Sequence, residues 1–465
     1  MKSMVLVIPA LLVCPMLGRA QNVADGNLPA PIVTRNSVEI CLNSRYSQHT
    51  LSKTAASAQQ MSNILWAAGR TPVTGTYRRI YVATPTATYL YDPGVHALSR
   101  HSNEATSDGA FAIIYDTQLE FDAGVMFMPA MLASVSLGRS TEAPLASCPK
   151  GLGYPKTRLI FGVQAVQGPT TELAVHCSVP EGQPGWLPDP VADGNNSLEE
   201  VLGNLKYVSH FAQTNLTLPQ ISQILWAGYG CTAHMTTNGR AGLTVPSAYA
   251  NYYLSRSIYL VNENGVFRYH NRNPSTSTAT RDHRLEPIGP TGEGRRPRAA
   301  DDEGSLPPAD ARVRLRSAVS GLPEAPCYAI LCLDSAYLSQ PFAQLETGFV
   351  AGNILIQATA LGLGCHFRPN LTAAEHKSIQ AAVSLPASHI PQAIVSIGPS
   401  AASTFLDGDA NQDHFVDLAD YVILSRCWLS SRSQAGYEAR ADFDRDGLVN
   451  VTDLALLAAN WLTTW

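Results

Sequence analysis

Two stretches late in the chain space oxygen-bearing side chains as a hard cation needs them. Asp409, Asn411, Asp413, Asp417 and Asp420 fall at positions 1, 3, 5, 9 and 12 of one twelve-residue loop. Asp442, Asp444, Asp446, Asn450 and Asp453 fall at the same positions of a second. Calcium takes roughly six to eight oxygens, and a tight loop supplies them from alternating positions, with position 7 adding its backbone carbonyl. Phe415 and Leu448 hold position 7 here. Position 6 favours a residue that accepts a left-handed backbone. Gly447 meets that need and His414 meets it less well, so the second loop is expected to be the better formed.

The elements that position these loops are short apolar helices. Tyr421, Val422, Leu424 and Trp428 mark one, and Leu454, Leu456, Leu457 and Trp461 mark the other. The duplicated loop and helix, residues 405–462, resembles the type I dockerin family, including the aspartate at position 12. The resemblance implies a small all-α domain, Ca2+ as the bound ion, and a cohesin-like domain or cell-surface scaffold as the partner. The family's recognition residues lie in the helices after position 9. Leu418, Ala419, Val451 and Thr452 stand there and match the family poorly, which leaves the type of partner open.

The other end of the chain suggests the compartment. Lys2, an apolar run from Met4 to Leu17 and then Gly18-Arg19-Ala20 read as a secretory signal peptide over residues 1–20. The run is too short to span a bilayer. Cys14 offers a competing lipoprotein reading, weakened by the bulky Val13 before it. A secreted or surface-associated protein of bacterial type is expected, with no membrane span. The net charge of -5 over 465 residues gives no electrostatic case for nucleic acid. Of nine cysteines, Cys14 leaves with the signal, and the rest form no CxxC pair, so zinc is not expected. Export permits disulfides. Buried free thiols are the equal alternative.

Between these ends the chain repeats itself. Arg45-Tyr-Ser-Gln-His-Thr50 parallels Lys206-Tyr-Val-Ser-His-Phe211, and Met61-Ser-Asn-Ile-Leu-Trp66 parallels Ile221-Ser-Gln-Ile-Leu-Trp226. Arg79-Ile-Tyr-Val-Ala83 and Tyr89-Leu-Tyr-Asp92 parallel Ser257-Ile-Tyr-Leu-Val261 and Val266-Phe-Arg-Tyr269. Each copy then carries a long small-residue helix, from Phe121 to Gly138 and from Leu345 to Gly364, and a closing strand. The order is helix, helix, strand, hairpin, long apolar helix, strand: an α+β sandwich with a largely antiparallel sheet. The helix from Leu345 to Leu361 is apolar all round, so it should be buried. Trp66 and Trp226, in Ile-Leu-Trp-Ala helices, are expected to pack in the core.

Several phrases of the second copy stand in the order of a known family. They are Leu225-Trp-Ala227 with Tyr229-Gly230, Val245-Pro-Ser-Ala248, Leu345-Glu-Thr-Gly348, and Asn353 followed by Gln357-Ala-Thr-Ala-Leu-Gly-Leu-Gly364. They resemble the nitroreductase family of flavin enzymes, within it the thiazole/oxazole-forming dehydrogenase group. The resemblance covers residues 196–398 well and 36–168 weakly, with residues 169–195 as a linker and a flexible insert at about 273–312. Because that family dimerises around flavin mononucleotide, two copies in one chain imply an internal pseudo-dimer, a monomer with two-fold-like halves. The resemblance implies FMN held by the second unit. Lys206, Tyr207, Ser209, His366 and Arg368 would serve the phosphate, Pro246, Ser247 and Ala248 the ring, and Asn353 the long helix's share of the site. Arg45 to Ser47 in the first unit are a weaker phosphate phrase, and that unit lacks a Pro-Ser-Ala turn.

Two readings follow. One is a secreted FMN-dependent oxidoreductase, tethered through the calcium module and acting on a small-molecule or peptide substrate. An exported enzyme has little access to nicotinamide cofactors, which weighs against it. The other is a flavin-free, non-catalytic component of an extracellular assembly, favoured by the degenerate phosphate phrase. A glycoside hydrolase has no recognisable carboxylate pair to rest on.

Overall fold

The computed structural model describes residues 26–45, 56–104, 111–142, 157–165, 179–235, 241–247, 251–272, 281–288, 310–340, 342–401, 408–411, 415–432, 434, 436–443 and 447–462. The expected signal segment at residues 1–20, and Tyr46, Ser47, Ala248, Asp413, Asp444, Asp446, Cys148 and Cys177, lie outside them.

The first unit runs β1 (Gly26–Asn27), α1 (Val38–Ser44), α2 (Ala58–Ala68), β2 (Arg78–Ala83), β3 (Thr88–Asp92), β4 (Ala97–Ser102), β5 (Phe111–Thr117), α3 (Glu120–Ser136), β6 (Arg139–Glu142) and β7 (Thr157–Ala165). The second runs α4 (Leu198–Gly203), α5 (Leu218–Tyr229), β8 (Cys231–Met235), β9 (Ala241–Leu243), β10 (Ile258–Asn262), β11 (Gly265–Arg272), β12 (Arg281–Ile288), α6 (Ala311–Ala318), β13 (Cys327–Asp334), α7 (Ala343–Ala360), β14 (Gly364–Pro369), α8 (Ala373–Val383) and β15 (His389–Gly398). The tail contributes α9 (Leu418–Arg426) and α10 (Val451–Ala459).

The duplication is carried into the topology. The first sheet is ordered β1-β4-β3-β2-β5-β7-β6 and the second β12-β11-β10-β13-β15-β14. Setting β1 aside, the two orders match strand for strand, and the pairings within both are antiparallel. Helices α2 and α5 begin with the same device. Ser57 with Gln60, and Thr217 with Gln220, exchange side-chain and backbone hydrogen bonds in capping boxes.

The long helices α3 and α7 meet at the centre through glycine. A Cβ on Gly124 would lie 2.2 Å from the Leu345 carbonyl oxygen and 2.8 Å from Gly348 Cα. A Cβ on Gly348 would lie 2.1 Å from the Phe121 carbonyl oxygen and 2.8 Å from Gly124 Cα. The contact is reciprocal, as an isologous interface requires. One apolar core extends from Val38 through both units to Ile397, and a second fills the space between the outer face of the second sheet and α6 and α8. Helix α7 is buried along nearly its whole length, as its composition predicts. Trp226 is fully buried and donates its indole N–H to the Cys231 carbonyl at 2.8 Å. Trp66 is only partly buried, under the Arg70 guanidinium.

Polar ties cross between the units. The Glu199 carboxylate accepts from Thr34 and Ser136, and the Glu39 carboxylate accepts from Gln357 at 2.6 Å. Ser37 and Ser197, which cap α1 and α4, bridge each other.

The structure departs from the sequence expectations at several places. Each unit starts earlier than residues 36 and 196, with an arm of the form Leu-Pro-x-Pro. Asn63 holds the Ile32 backbone at 3.1 Å and 2.7 Å, and Gln223 holds Val191 likewise at 2.8 Å and 3.1 Å. The described half of the expected linker is therefore bound in place. Residues 281–288, within the expected loose insert, form β12 against β11. The hairpin correspondence is shifted by one, because Tyr91 and Tyr269 occupy equivalent places, each donating to a histidine Nδ1, of His96 and His283. Strands β5, β13, β6 and β14 were not anticipated. Cys41, Cys231, Cys327, Cys332, Cys365 and Cys427 are buried, and no disulfide joins any two of them. Among the described residues, no helix is long and apolar enough to cross a membrane.

Candidate functional sites: the calcium loops and the interface between units

The tail builds its two loops on one plan. Asp417 and Asn450, at position 9, cap α9 and α10 with nearly the same backbone, φ -142° and ψ -162° against -144° and -163°. Their side chains accept from Ala419 N and Thr452 N, each at 2.7 Å. The position-12 carboxylates reach back, Asp420 to Asp417 N and Asp453 to Asn450 N, each at 2.8 Å. Their other oxygens accept from Asn411 N at 2.9 Å and Phe443 N at 2.6 Å. The copies are stitched by Leu429 N to Val449 O at 2.8 Å and Leu462 N to Val416 O at 2.7 Å. Val416, Leu424, Cys427, Ala441, Val449 and Leu457 form the core beneath.

The fit to a cation can be judged from Asp442 at position 1. Its Oδ2 accepts from Gly447 N at 3.0 Å and from the Tyr437 hydroxyl. Its Oδ1 is buried and, among the described residues, has no hydrogen-bond partner. A buried carboxylate oxygen left open is costly unless a cation takes it. Asp409, Asp420, Asp442 and Asp453 are all buried in this small domain, a density of negative charge that a divalent ion would balance. Gly447 has φ +90°, the left-handed backbone expected of position 6. Among the described residues no group of three acids, histidines or cysteines is placed to hold a metal. Asp413, Asp444 and Asp446, which would complete the loops, fall outside them.

The residues named for flavin divide into two groups at opposite ends of α7. At its last turn, Lys206 N donates to Thr359 Oγ1 at 3.1 Å, and its Nζ donates to the Gly362 carbonyl at 3.2 Å. Tyr207 bridges Cys365 and stacks on His366 at 5.3 Å. Arg368 is paired with Glu375 at 3.0 Å, and Ser209 with His210 at 3.0 Å. Phe121 of the first unit packs edge-on against Phe367 here.

At the first turn of α7, Ser247 donates to Glu346 at 2.5 Å and accepts from Tyr252 N at 2.7 Å. Tyr229 donates to the other Glu346 oxygen. Pro246 precedes this hub and is buried. Asn353, midway along α7, donates to the Thr244 carbonyl at 3.3 Å. Thirteen residues separate Glu346 from Thr359, about 20 Å of helix. The second unit therefore does not gather these side chains into one cradle.

Each group is instead completed by the first unit. Arg45 reaches the Thr244 region across the interface, donating through Nε to Thr244 O at 3.0 Å and through Nη2 to Leu243 O at 2.6 Å and Val245 O at 3.0 Å. Opposite Tyr207 stands Asp122, which accepts from Thr74 N at 3.0 Å and Gly75 N at 2.8 Å, as Glu346 holds Ser247 in the other copy. Burial pushes the Glu346 carboxyl up to about 7 against its hydrogen bonds, which pull it down. Burial brings Arg45 down to about 10, so it remains a cation at neutral pH.

Sequence reasoning missed Glu346, Tyr229 and the full role of Arg45. Glu346 and Asp122 were visible as acids at matching places in the two long-helix phrases. Their partners could not be seen, because those lie more than forty residues away.

Comparison with known proteins separates tail from body. Residues 407–460 match the model of the dockerin type I domain. The chain thus carries a C-terminal dockerin domain of type I. No curated protein matches the chain. Similar solved structures include a nitroreductase candidate from Anabaena variabilis, 11% identical, covering 80% of this chain and 94% of that one with a TM-score of 0.47. Another is a nitroreductase with bound FMN from Bacteroides fragilis, 13% identical, covering 45% of this chain and 92% of that one with a TM-score of 0.28. A nitroreductase candidate from Ralstonia eutropha is 22% identical, covering 50% of this chain and 96% of that one with a TM-score of 0.35.

Proposed function

We propose that this is an exported protein fastened to a cohesin-bearing scaffold by its calcium-loaded dockerin, and that its body is a flavin-free binding or structural component. The body would be a nitroreductase-like dimer fused into one chain. One observation carries the flavin-free reading. The polar side chains on which FMN binding would depend are engaged within the protein: Lys206 on Gly362, Ser247 on Glu346, Arg368 on Glu375, and Arg45 on residues 243–245. FMN would have to displace an existing hydrogen bond at Lys206, Ser247 and Arg368.

The oxidoreductase reading keeps one observation in its favour. Arg45 Nη1, Asn353 Oδ1 and His366 Nδ1 are buried and, among the described residues, have no hydrogen-bond partner. An absorbance spectrum after incubation with FMN and gel filtration decides between the two. A colourless protein is the expected result. Retained visible flavin bands at about one flavin per chain would restore the oxidoreductase, whose ring and phosphate would then be sought at the two ends of α7.

A further inference from the structure

Arg45 is buried to 2% exposure, yet among the described residues no carboxylate pairs with it. A desolvated cation without an anion is costly, and only well-aimed dipoles can offset the cost. Here three successive carbonyls, of Leu243, Thr244 and Val245, converge on the Nε and Nη2 edge of one guanidinium, while its Nη1 is buried with no hydrogen-bond partner among the described residues. Successive carbonyls point to opposite sides along a regular strand. Convergence is possible because β9 ends at Leu243 and the next two residues bend. Pro246 follows and restrains Val245. Asn353 steadies the central carbonyl by donating to Thr244 O at 3.3 Å. Donor and acceptors come from different units, about two hundred residues apart in sequence.

We propose that residues 243–245, braced by Asn353, form a guanidinium-binding socket, and that Arg45 is its built-in occupant, joining the fused units as a bound ligand would. The socket reads the planar fork and not charge alone. Guanidinium is delocalised and weakly hydrated, with several N–H groups held in one plane, so neutral carbonyls can hold it. An ammonium group presents a compact, strongly hydrated charge that this arrangement suits poorly.

The test uses the full chain, calcium-loaded and without flavin, so its result does not depend on whether FMN binds. Arg45→Ala should lower the melting midpoint of the body by roughly 5–10 °C. Methylguanidinium at tens of millimolar should return part of that loss, while the same concentration of sodium chloride or methylammonium chloride does not. Wild type, its socket filled, should show no such gain. Equal effects of methylguanidinium on variant and wild type would overturn the proposal. Should Arg45→Ala fail to fold, Arg45→Lys provides the second measurement. The socket predicts that lysine melts well below wild type despite its charge, and a lysine variant as stable as wild type would sink the idea.

Discussion

His283 lies fully buried between Ser222 and Tyr269, at 2.7 Å and 2.8 Å. Ser222 spends its proton on the Pro188 carbonyl at 2.5 Å, so His283 Nε2 must donate to it and Nδ1 must accept from Tyr269. Burial brings its pKa down to about 4 from 6.5. The folded form is then neutral where the unfolded chain is protonated. Stability from this residue is complete above pH 6.5 and declines as pH falls toward 4, by up to about 3 kcal/mol. Glu346 acts in the opposite sense, its cost growing as pH rises from 4.5 to about 7. Urea unfolding of His283→Gln should therefore show a shallower acid-side decline between about pH 7 and 5, the remainder coming from the other histidines that burial lowers, among them His96, His270, His366 and His389. A profile unchanged from wild type would show that His283 does not titrate on unfolding. In the tail, Asp453 serves both its helix cap and its loop. Asp453→Ala should weaken calcium binding about tenfold or more, read by isothermal titration.

At the scale of elements, the α3–α7 crossing decides whether the units stay together. A methyl group on Gly348 meets backbone of the other helix, which cannot swing aside as a side chain can. Gly348→Ala should cost about 3 kcal/mol or more in chemical unfolding. Gly362 is a control, since it has open space around its missing Cβ but φ +78°, so alanine there should cost less, through backbone strain alone. The arms belong to this scale too. Leu28-Pro-Ala-Pro-Ile32 and Leu187-Pro-Asp-Pro-Val191 are a visible repeat once the structure shows both docked through Asn63 and Gln223. Residues 187–191 read as linker, and 28–32 as part of neither the signal segment nor the first unit, because prolines and a short length carry no periodicity.

At the scale of the whole molecule, the tail and body should separate functionally. Removing calcium with a chelator should abolish capture by an immobilised cohesin while leaving the melting of the body unchanged, by surface binding and calorimetry. Loss of body stability on chelation would place calcium in the body as well.

The sequence by itself determined what is local or periodic. The two acidic loops of the tail repeat a spacing within twelve residues, and α7 announces its burial by lacking a polar face. The helix, helix, strand, hairpin, long helix and closing strand of each copy also follow from neighbours a few residues apart, while β5, β6, β13 and β14 do not. Only the tertiary structure decided which distant groups face each other. Lys206 and Ser247, read as parts of one site, lie against opposite ends of α7, bonded to Thr359 and Glu346. Arg45, read as half of a weak phosphate phrase, is instead buried against residues two hundred positions away. Contacts between the copies, such as Arg45 on residues 243–245 and Gln357 on Glu39, are recorded by no spacing within either copy.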